Sequence, residues 1–278
     1  VELLILGFVA GVSIGSFANT CIFRLPRGIA LTSPGSFCPD CSALLRYFEL
    51  VPVLSFLSQG GRCRNCRARI SLSYPVVELL HGVGALLSLL VFGLSITAAE
   101  FFLFASFLLT VALIDWHHFV IPNKLVVAGI VIAIAVKAVS APHTIIGSLG
   151  SSFAAFGVLF IIRLAGNHLF GRESMGLGDV KLGAVVGLFL GITGLLFALW
   201  IASVFGLLLA TAKIRPALIS PVPADHHERV MGCGLMASSG KVMRVVPFGT
   251  YLACSAILVS YFQYPIIRMI DSWLSLMN

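Results

Sequence analysis

Charge is what this sequence has least of. Only 10% of its 278 residues are charged, against about 25% in an ordinary soluble domain. A soluble fold of this length could not cover its surface with so few. Acids are scarcer than bases, 11 against 18, and there are just five aspartates, at positions 40, 115, 179, 225 and 271. Polar residues do not alternate with the apolar ones, which argues against a membrane β-barrel. Low-complexity tracts and extended repeats are missing, which sets aside disordered and collagen-like classes. The HExxH pattern of zinc proteases is absent, because His227-Glu228 is followed by Met231 where a second histidine is needed. A phosphate-binding loop is absent too, since Val242 follows Gly240-Lys241.

What is present is apolar. Hydrophobic residues make up 59% of the chain, and the mean hydropathy is +1.04. Eight continuous apolar stretches lie near 1–23, 76–95, 98–116, 125–141, 144–162, 182–193, 194–212 and 248–267. A helix needs about 20 apolar residues to span a bilayer core. The run 182–212 is too long for one span of ordinary tilt, and Gly191-Ile192-Thr193-Gly194 is a plausible break in it. The expected fold is therefore an all-α polytopic membrane protein with about eight transmembrane helices. The first span has no basic residue before Arg24 and is expected to be retained. Gly7, Gly11 and Gly15 give it a smooth face suited to close helix packing.

The basic residues are sorted along the chain. Segment 24–75 holds seven arginines, and with the loops 116–124, 163–181 and 213–247 it carries 16 of the 18 basic residues. With eight spans these four segments share one side, which the positive-inside rule makes cytoplasmic. The expected organisation is a first helix at 1–23, a small cytoplasmic module at 24–75, and a transmembrane core at 76–278.

That module carries Cys38-Pro39-Asp40-Cys41 and Cys63-Arg64-Asn65-Cys66. Each CxxC knuckle can turn two thiolates toward one ion, and two knuckles complete a tetrahedron. About fifty residues make a poor core alone, so a metal would stabilise the fold. A reducing cytoplasm disfavours two disulfides there. Four thiolates also close the coordination sphere, so the expected metal is a structural Zn2+ held by Cys38, Cys41, Cys63 and Cys66. Cys21 and Cys254 fall in apolar stretches and read as core; Cys233 has no partner by spacing.

Two acids fall at the edges of apolar stretches. Asp115 ends the third, and Asp179 opens the sixth within Gly176-Leu177-Gly178-Asp179-Val180-Lys181. An ionisable group at membrane depth is costly and points to function. Two nearby carboxylates cannot both ionise and share one proton; one can then take a proton from water while the other protonates a carbonyl oxygen. That is aspartyl peptide hydrolysis. Gly176 and Gly178 would let a substrate backbone approach Asp179, and Lys181 would help position it. Helix dipoles alone make Asp179, at a helix N-terminus, the ionised base and Asp115, at a C-terminus, the protonated acid.

These stretches resemble the type IV prepilin leader peptidases, membrane aspartyl proteases of the GxGD class. The resemblance runs through Gly15-Ser16-Phe17-Ala18-Asn19, Arg24-Leu25-Pro26, both knuckles and Tyr74-Pro75-Val76-Val77-Glu78. It continues through Asp115 to Ile121-Pro122, Met175 to Leu182, and Pro247-Phe248-Gly249. Asn123 replaces the acid often found after that Ile-Pro, a departure outside the acid pair and expected to matter little. The resemblance implies Asp115 and Asp179 as catalytic acids and the four cysteines as metal ligands. It implies an enzyme of the bacterial inner membrane, facing the cytoplasm, that cleaves the basic leader of prepilins or type II secretion pseudopilins after a glycine. It also implies N-methylation of the new N-terminus with S-adenosylmethionine, for which Glu49 and Glu78 are candidates only.

Rival readings are weaker. Gly11-Val12-Ser13-Ile14-Gly15 matches GxSxG, with His81 in the next span, but that motif needs a strand-to-helix elbow. His117 and His118 could bind metal, though polar residues at the membrane edge are the simpler reading. A transporter or scaffold with a zinc-stapled loop is the non-enzymatic alternative; a transporter would need ionisable groups near the midplane, where Lys137 and His81 are the only others. The loop arginines suit lipid headgroups better than nucleic acid, since few aromatics interleave them.

Overall fold

The computed structural model describes residues 2–33, 35–171, 173–211 and 247–277, and for 209–211 and 264–277 the backbone alone. Eight α-helices follow one another among the described residues: α1 (Glu2–Arg24), α2 (Leu54–Ser58), α3 (Ser73–Phe92), α4 (Ile96–His118), α5 (Asn123–Ser140), α6 (Ile145–Phe170), α7 (Leu177–Thr211) and α8 (Phe248–Met277). Among the described residues there is no strand, only two isolated β-bridges in the cysteine module. Six helices among the described residues (α1, α3, α4, α5, α6 and α7) are long and apolar enough to cross a membrane, and α8 adds the shorter apolar run Phe248–Gln263. The chain is an all-α, multi-pass membrane protein.

α7 turns back on itself. Gly191 has φ 74° and ψ 175°, a backbone region open essentially to glycine alone. Leu195 Cδ1 lies 3.8 Å from the point a Cβ on Gly183 would occupy. In a straight helix, residues twelve apart are separated by about 18 Å along the axis. The 35-residue element is thus two helices folded against each other, as the length of the run implied, and the apolar helical segments among the described residues number eight. Gly191→Ala should cost about 1–3 kcal/mol. Thermal unfolding in detergent reads this directly, against Gly147→Ala, where a Cβ meets nothing within 4 Å. Equal melts for the two variants would rule out a strained hinge at Gly191.

The helices overrun the apolar stretches. α6 continues to Phe170 and α7 starts at Leu177, so of the loop expected at 163–181 only 171 and 173–176 are non-helical among the described residues. Likewise only 119–122 separate α4 from α5. Hydropathy marks the lipid-facing part of a helix, whereas the backbone ladder continues until something stops it. Here Gly171 (φ 62°) and Phe119 (φ 55°) stop it, each in the left-handed conformation that ends helices. The loop expected at 213–247, apart from Pro247, lies outside the described residues, as do Arg172 and Cys233.

The bundle packs through small residues and one apolar core. α1 lies on α3 along its glycines: a Cβ on Gly11 would stand 2.6 Å from the His81 carbonyl oxygen, and one on Gly15 2.7 Å from Glu78 Cα. Lipid gives helices little hydrophobic reason to associate, so such close fit carries the packing. The core joins Phe104, Leu108 and Val111 of α4 to Leu182 and Val185 of α7 and to Leu252 and Ala256 of α8. This brings the last turn of α4 to the first turns of α7 and α8. Ser13 is exposed and donates to Val9 O, while His81 is buried with Nδ1 against Val77 O. Each of these contacts lies within the residue's own helix.

Candidate active site and cysteine module

Three helix ends and one short loop build the acidic site. Asp115 sits in the last turn of α4 and is 5% exposed; Asp179 sits in the first turn of α7 and is half-buried. Gly249, in the first turn of α8, stands between them. A Cβ on Gly249 would lie 2.8 Å from Asp179 Oδ1 and 2.9 Å from Asp115 Oδ2. The two carboxylate oxygens are therefore within about 6 Å of each other, close enough for each charge to act on the other. The third wall is Ile121, whose Cδ1 lies 3.0 Å from the same point. The two acids singled out by scarcity, 64 positions apart in sequence, share one site.

Asp115 has partners that the sequence did not advertise. The Thr250 backbone N–H donates to its Oδ2 at 2.8 Å. The Thr250 hydroxyl lies 3.1 Å from the same oxygen and 3.0 Å from the Ala112 carbonyl. The amide is one of the donors that an α-helix leaves unpaired in its first turn, so α8 points its N-terminus at Asp115. The dipole of α4 alone would disfavour charge there; the Thr250 donors act in the opposite sense. Asp179 keeps its own backbone N–H on Gly176 O at 3.2 Å. The expectation from each acid's own helix thus left out donors that a third helix supplies.

The remaining motif residues have visible partners. Gly178 backs onto Ile121, whose Cβ would be 3.1 Å from a Cβ there, so its bare face serves the packing of the α4–α5 loop. Gly176 lies alongside Asp179, whose Oδ2 would be 3.2 Å from its Cβ. Lys181 Nζ donates to Asn123 Oδ1 at 2.8 Å, tying the first turn of α7 to the start of α5. Asn123 is outside the acid pair, as expected, yet it has this job. His117 and His118 stack edge-on at the end of α4, with ring centroids 6.5 Å apart.

The cysteine module lies between α1 and α3. Its two knuckles repeat one backbone pattern: Cys38 N–H donates to Ala43 O and Ser42 N–H to Cys38 O, while Cys63 N–H donates to Ala68 O and Arg67 N–H to Cys63 O. Ser42 and Arg67 occupy the same left-handed position in each. The four sulfurs lie within 4.8 Å of one another, with Cys38–Cys66 at 3.9 Å and Cys41–Cys63 at 4.0 Å. Tetrahedral zinc with sulfurs at about 2.3 Å needs sulfur pairs near 3.8 Å, so the donor set fits. Backbone amides, led by that of Ala43, push the Cys41 thiol down to about 6, and those of Cys66 and Asn65 lower Cys63. Burial pushes Cys38 up to about 12. The four cysteines together could hold one metal ion. Arg24, buried at the end of α1, braces the module by donating to Ala30, Leu31 and Gly35 carbonyls.

Glu49 and Glu78 each serve a backbone amide. Glu49 Oε2 accepts from Arg46 N–H, and Glu78 Oε2, at the buried start of α3, accepts from Val53 N–H, both at 2.7 Å. Sequence reasoning missed Thr250 and quoted Gly249 and Ile121 without giving them roles. The available signal was a Pro-Phe-Gly opening an apolar helix, a helix start that needs a partner for its free amides.

Fold and site together define a multi-pass membrane protein with a paired-carboxylate centre at one end of its bundle and a four-cysteine cluster able to bind a metal ion at a loop of that end. Residues 9–92 match the bacterial peptidase A24 N-terminal domain, and residues 102–211 match the type IV leader peptidase family. A "Prepilin leader peptidase/N-methyltransferase" of Bacillus subtilis is 34% identical over 220 residues, covering 78% of this chain and 86% of the relative. One of the same name from Myxococcus xanthus is 34% identical over 215 residues; the match covers 75% of this chain but only 64% of that longer protein. A "Type 4 prepilin-like proteins leader peptide-processing enzyme" of Escherichia coli O78:H11 is 31% identical over 237 residues, covering 78% and 88%. No solved structure matches the chain. The chain belongs to the type IV leader peptidase family.

Proposed function

We propose that this chain is an aspartyl endopeptidase that removes the basic leader of prepilins or pseudopilins after a glycine, at the cytoplasmic face of the bacterial inner membrane. The observation that carries the reading is the convergence of Asp115 and Asp179 on Gly249 at one end of the bundle. The pair shares one proton. Asp115, which receives the Thr250 donors, holds the negative charge, and Asp179 carries the proton. The ionised acid takes a proton from water as its oxygen attacks the scissile carbonyl carbon, and the protonated acid gives its proton to the carbonyl oxygen. The tetrahedral gem-diol then collapses as the C–N bond breaks: Asp115 passes the proton it took from water to the leaving amine, and Asp179 takes one back from a diol hydroxyl, which restores the pair. Gly176 and Lys181 border the approach to Asp179. The cytoplasmic orientation rests on the 16 of 18 basic residues that the sequence gathers in the segments 24–75, 116–124, 163–181 and 213–247, loops and helix ends together.

The cysteine module holds a structural Zn2+, which stabilises its fold and keeps the loop at the site's end of the bundle. Metal analysis of the purified chain should find about one zinc per molecule, and Cys38→Ser with chelator should remove it. Backbone hydrogen exchange across 36–70 should then rise sharply, because a module this small has little core of its own. Bound metal absent, with exchange unchanged by chelator, would count against the site. The second half of the relatives' name extends to this chain as N-methylation of the new amine, for which S-adenosylmethionine supplies an electrophilic methyl group. Glu49 and Glu78 already accept backbone amides, which argues for structural parts.

Full chain in lipid, given a prepilin-type substrate with a basic leader and labelled S-adenosylmethionine, tests both activities. Cleavage after the glycine and label on the new N-terminus are expected. Folded protein that cleaves nothing would return the reading to a non-enzymatic scaffold.

A further inference from the structure

Thr250 is buried, at 8% exposure, on a helix that the acid motifs do not include. It reaches Asp115 from 135 positions away, through two donors on one oxygen. A carboxylate in the last turn of a helix ordinarily swings among rotamers. Two bonds to Oδ2 remove that freedom and leave Oδ1 for water. The hydroxyl has a further property. Its single proton can go to Asp115 Oδ2 at 3.1 Å or to Ala112 O at 3.0 Å, and its oxygen can accept as well as donate. When Asp115 is charged, the hydroxyl donates to it. When Asp115 gains a proton, the hydroxyl turns to Ala112 O, and no buried polar group loses its partner. Asp179 is the titratable group that faces this contact across Gly249.

We infer that Thr250 is a positioning residue of the reaction: it fixes the Asp115 carboxylate and lets it change protonation state without leaving a buried polar group unpaired. This rests on the assignment of Asp115 and Asp179 as the catalytic pair. It acts on the chemical step, so it should bear on kcat and leave substrate binding alone.

The test uses the full chain in lipid, with steady-state cleavage of a prepilin-type substrate by Thr250→Val, Thr250→Ser and, should the valine variant fold poorly, Thr250→Ala. Thr250→Val keeps the shape and the amide but loses the hydroxyl. Its kcat should fall about 10- to 100-fold, the range for one lost hydrogen bond to a charged group, with KM unchanged within about twofold. Thr250→Ser restores the hydroxyl and should recover kcat to within about threefold of the parent chain. The inference is overturned if Thr250→Val and Thr250→Ala cleave like the parent, if serine is as impaired as valine, or if only KM moves. Asp115→Asn and Asp179→Asn run beside them. Cleavage by either of these overturns the catalytic pair itself, whereas inactive asparagine variants with a fully active Thr250→Val overturn the role of Thr250 alone.

Discussion

Asp115→Asn and Asp179→Asn should each abolish leader cleavage while leaving a folded, membrane-inserted protein. The expected fall is roughly 10²- to 10⁴-fold in kcat, the range of general acid–base catalysis. Asparagine keeps the shape of the side chain and an oxygen that can accept from Thr250, so the contact that holds α8 on α4 survives in Asp115→Asn. What it loses is the capacity to take up or release a proton. In Asp179→Asn the backbone bond to Gly176 O is untouched, so the first turn of α7 still forms. The two losses should not add: once one acid is gone the other has no partner with which to share a proton, and the double variant should be no worse than either single one. Glu2→Gln, an exposed acid at the start of α1, should cleave normally. Robust cleavage by either asparagine variant would sink the assignment, whatever the fate of the other.

The helices were legible because lipid sorts residues harshly, and a soluble fold rarely tolerates an uninterrupted apolar run of span length. The length of the run at 182–212 demanded a break, but not its position. Gly191 and Gly194 were equal candidates in the sequence. Only the backbone separates them: Gly191 carries the positive φ, while a Cβ on Gly194 would fall 2.6 Å from Leu190 Cβ. The cysteine cluster was legible because two CxxC knuckles have a spacing that can turn four thiols toward one point. The acid pair was legible through scarcity, since few aspartates could belong to membrane-edge positions. The electrostatics of that pair was not. The dipole of its own helix is only part of the field at each acid: Asp115 also receives two donors from a helix that begins 133 residues later. Sequence order carries local fields well and through-space fields poorly, which is why Thr250 and the packing of Ile121 between Gly178 and Gly249 came only with the fold.

Gly249→Ala is the second substitution expected to be severe, and it removes nothing. It places a methyl group 2.8 Å from Asp179 Oδ1, 2.9 Å from Asp115 Oδ2 and 3.0 Å from Ile121 Cδ1. Those separations are shorter than carbon tolerates, so at least one wall must yield. Ile121 is pinned from behind by Gly178, and Asp115 is held by Thr250; the least restrained wall is Asp179, with its oxygen pushed away from its partner. Displacement of a reacting group by about 1 Å is worth about 10²-fold in rate, and kcat/KM should fall at least that far. Stability should scarcely change, because alanine is the better helix former by about 1 kcal/mol and offsets part of the crowding. An inactive protein with a near-parental melt distinguishes this mechanism from simple misfolding. Trimming the third wall supplies the decisive arm: Ile121→Val in the Gly249→Ala background makes room for the methyl group and should restore part of the lost activity, although Ile121→Val alone would only loosen the site. That positive coupling is the signature of a steric wedge between two carboxylates. Parental cleavage by Gly249→Ala would mean that the acids do not close on that point during the reaction.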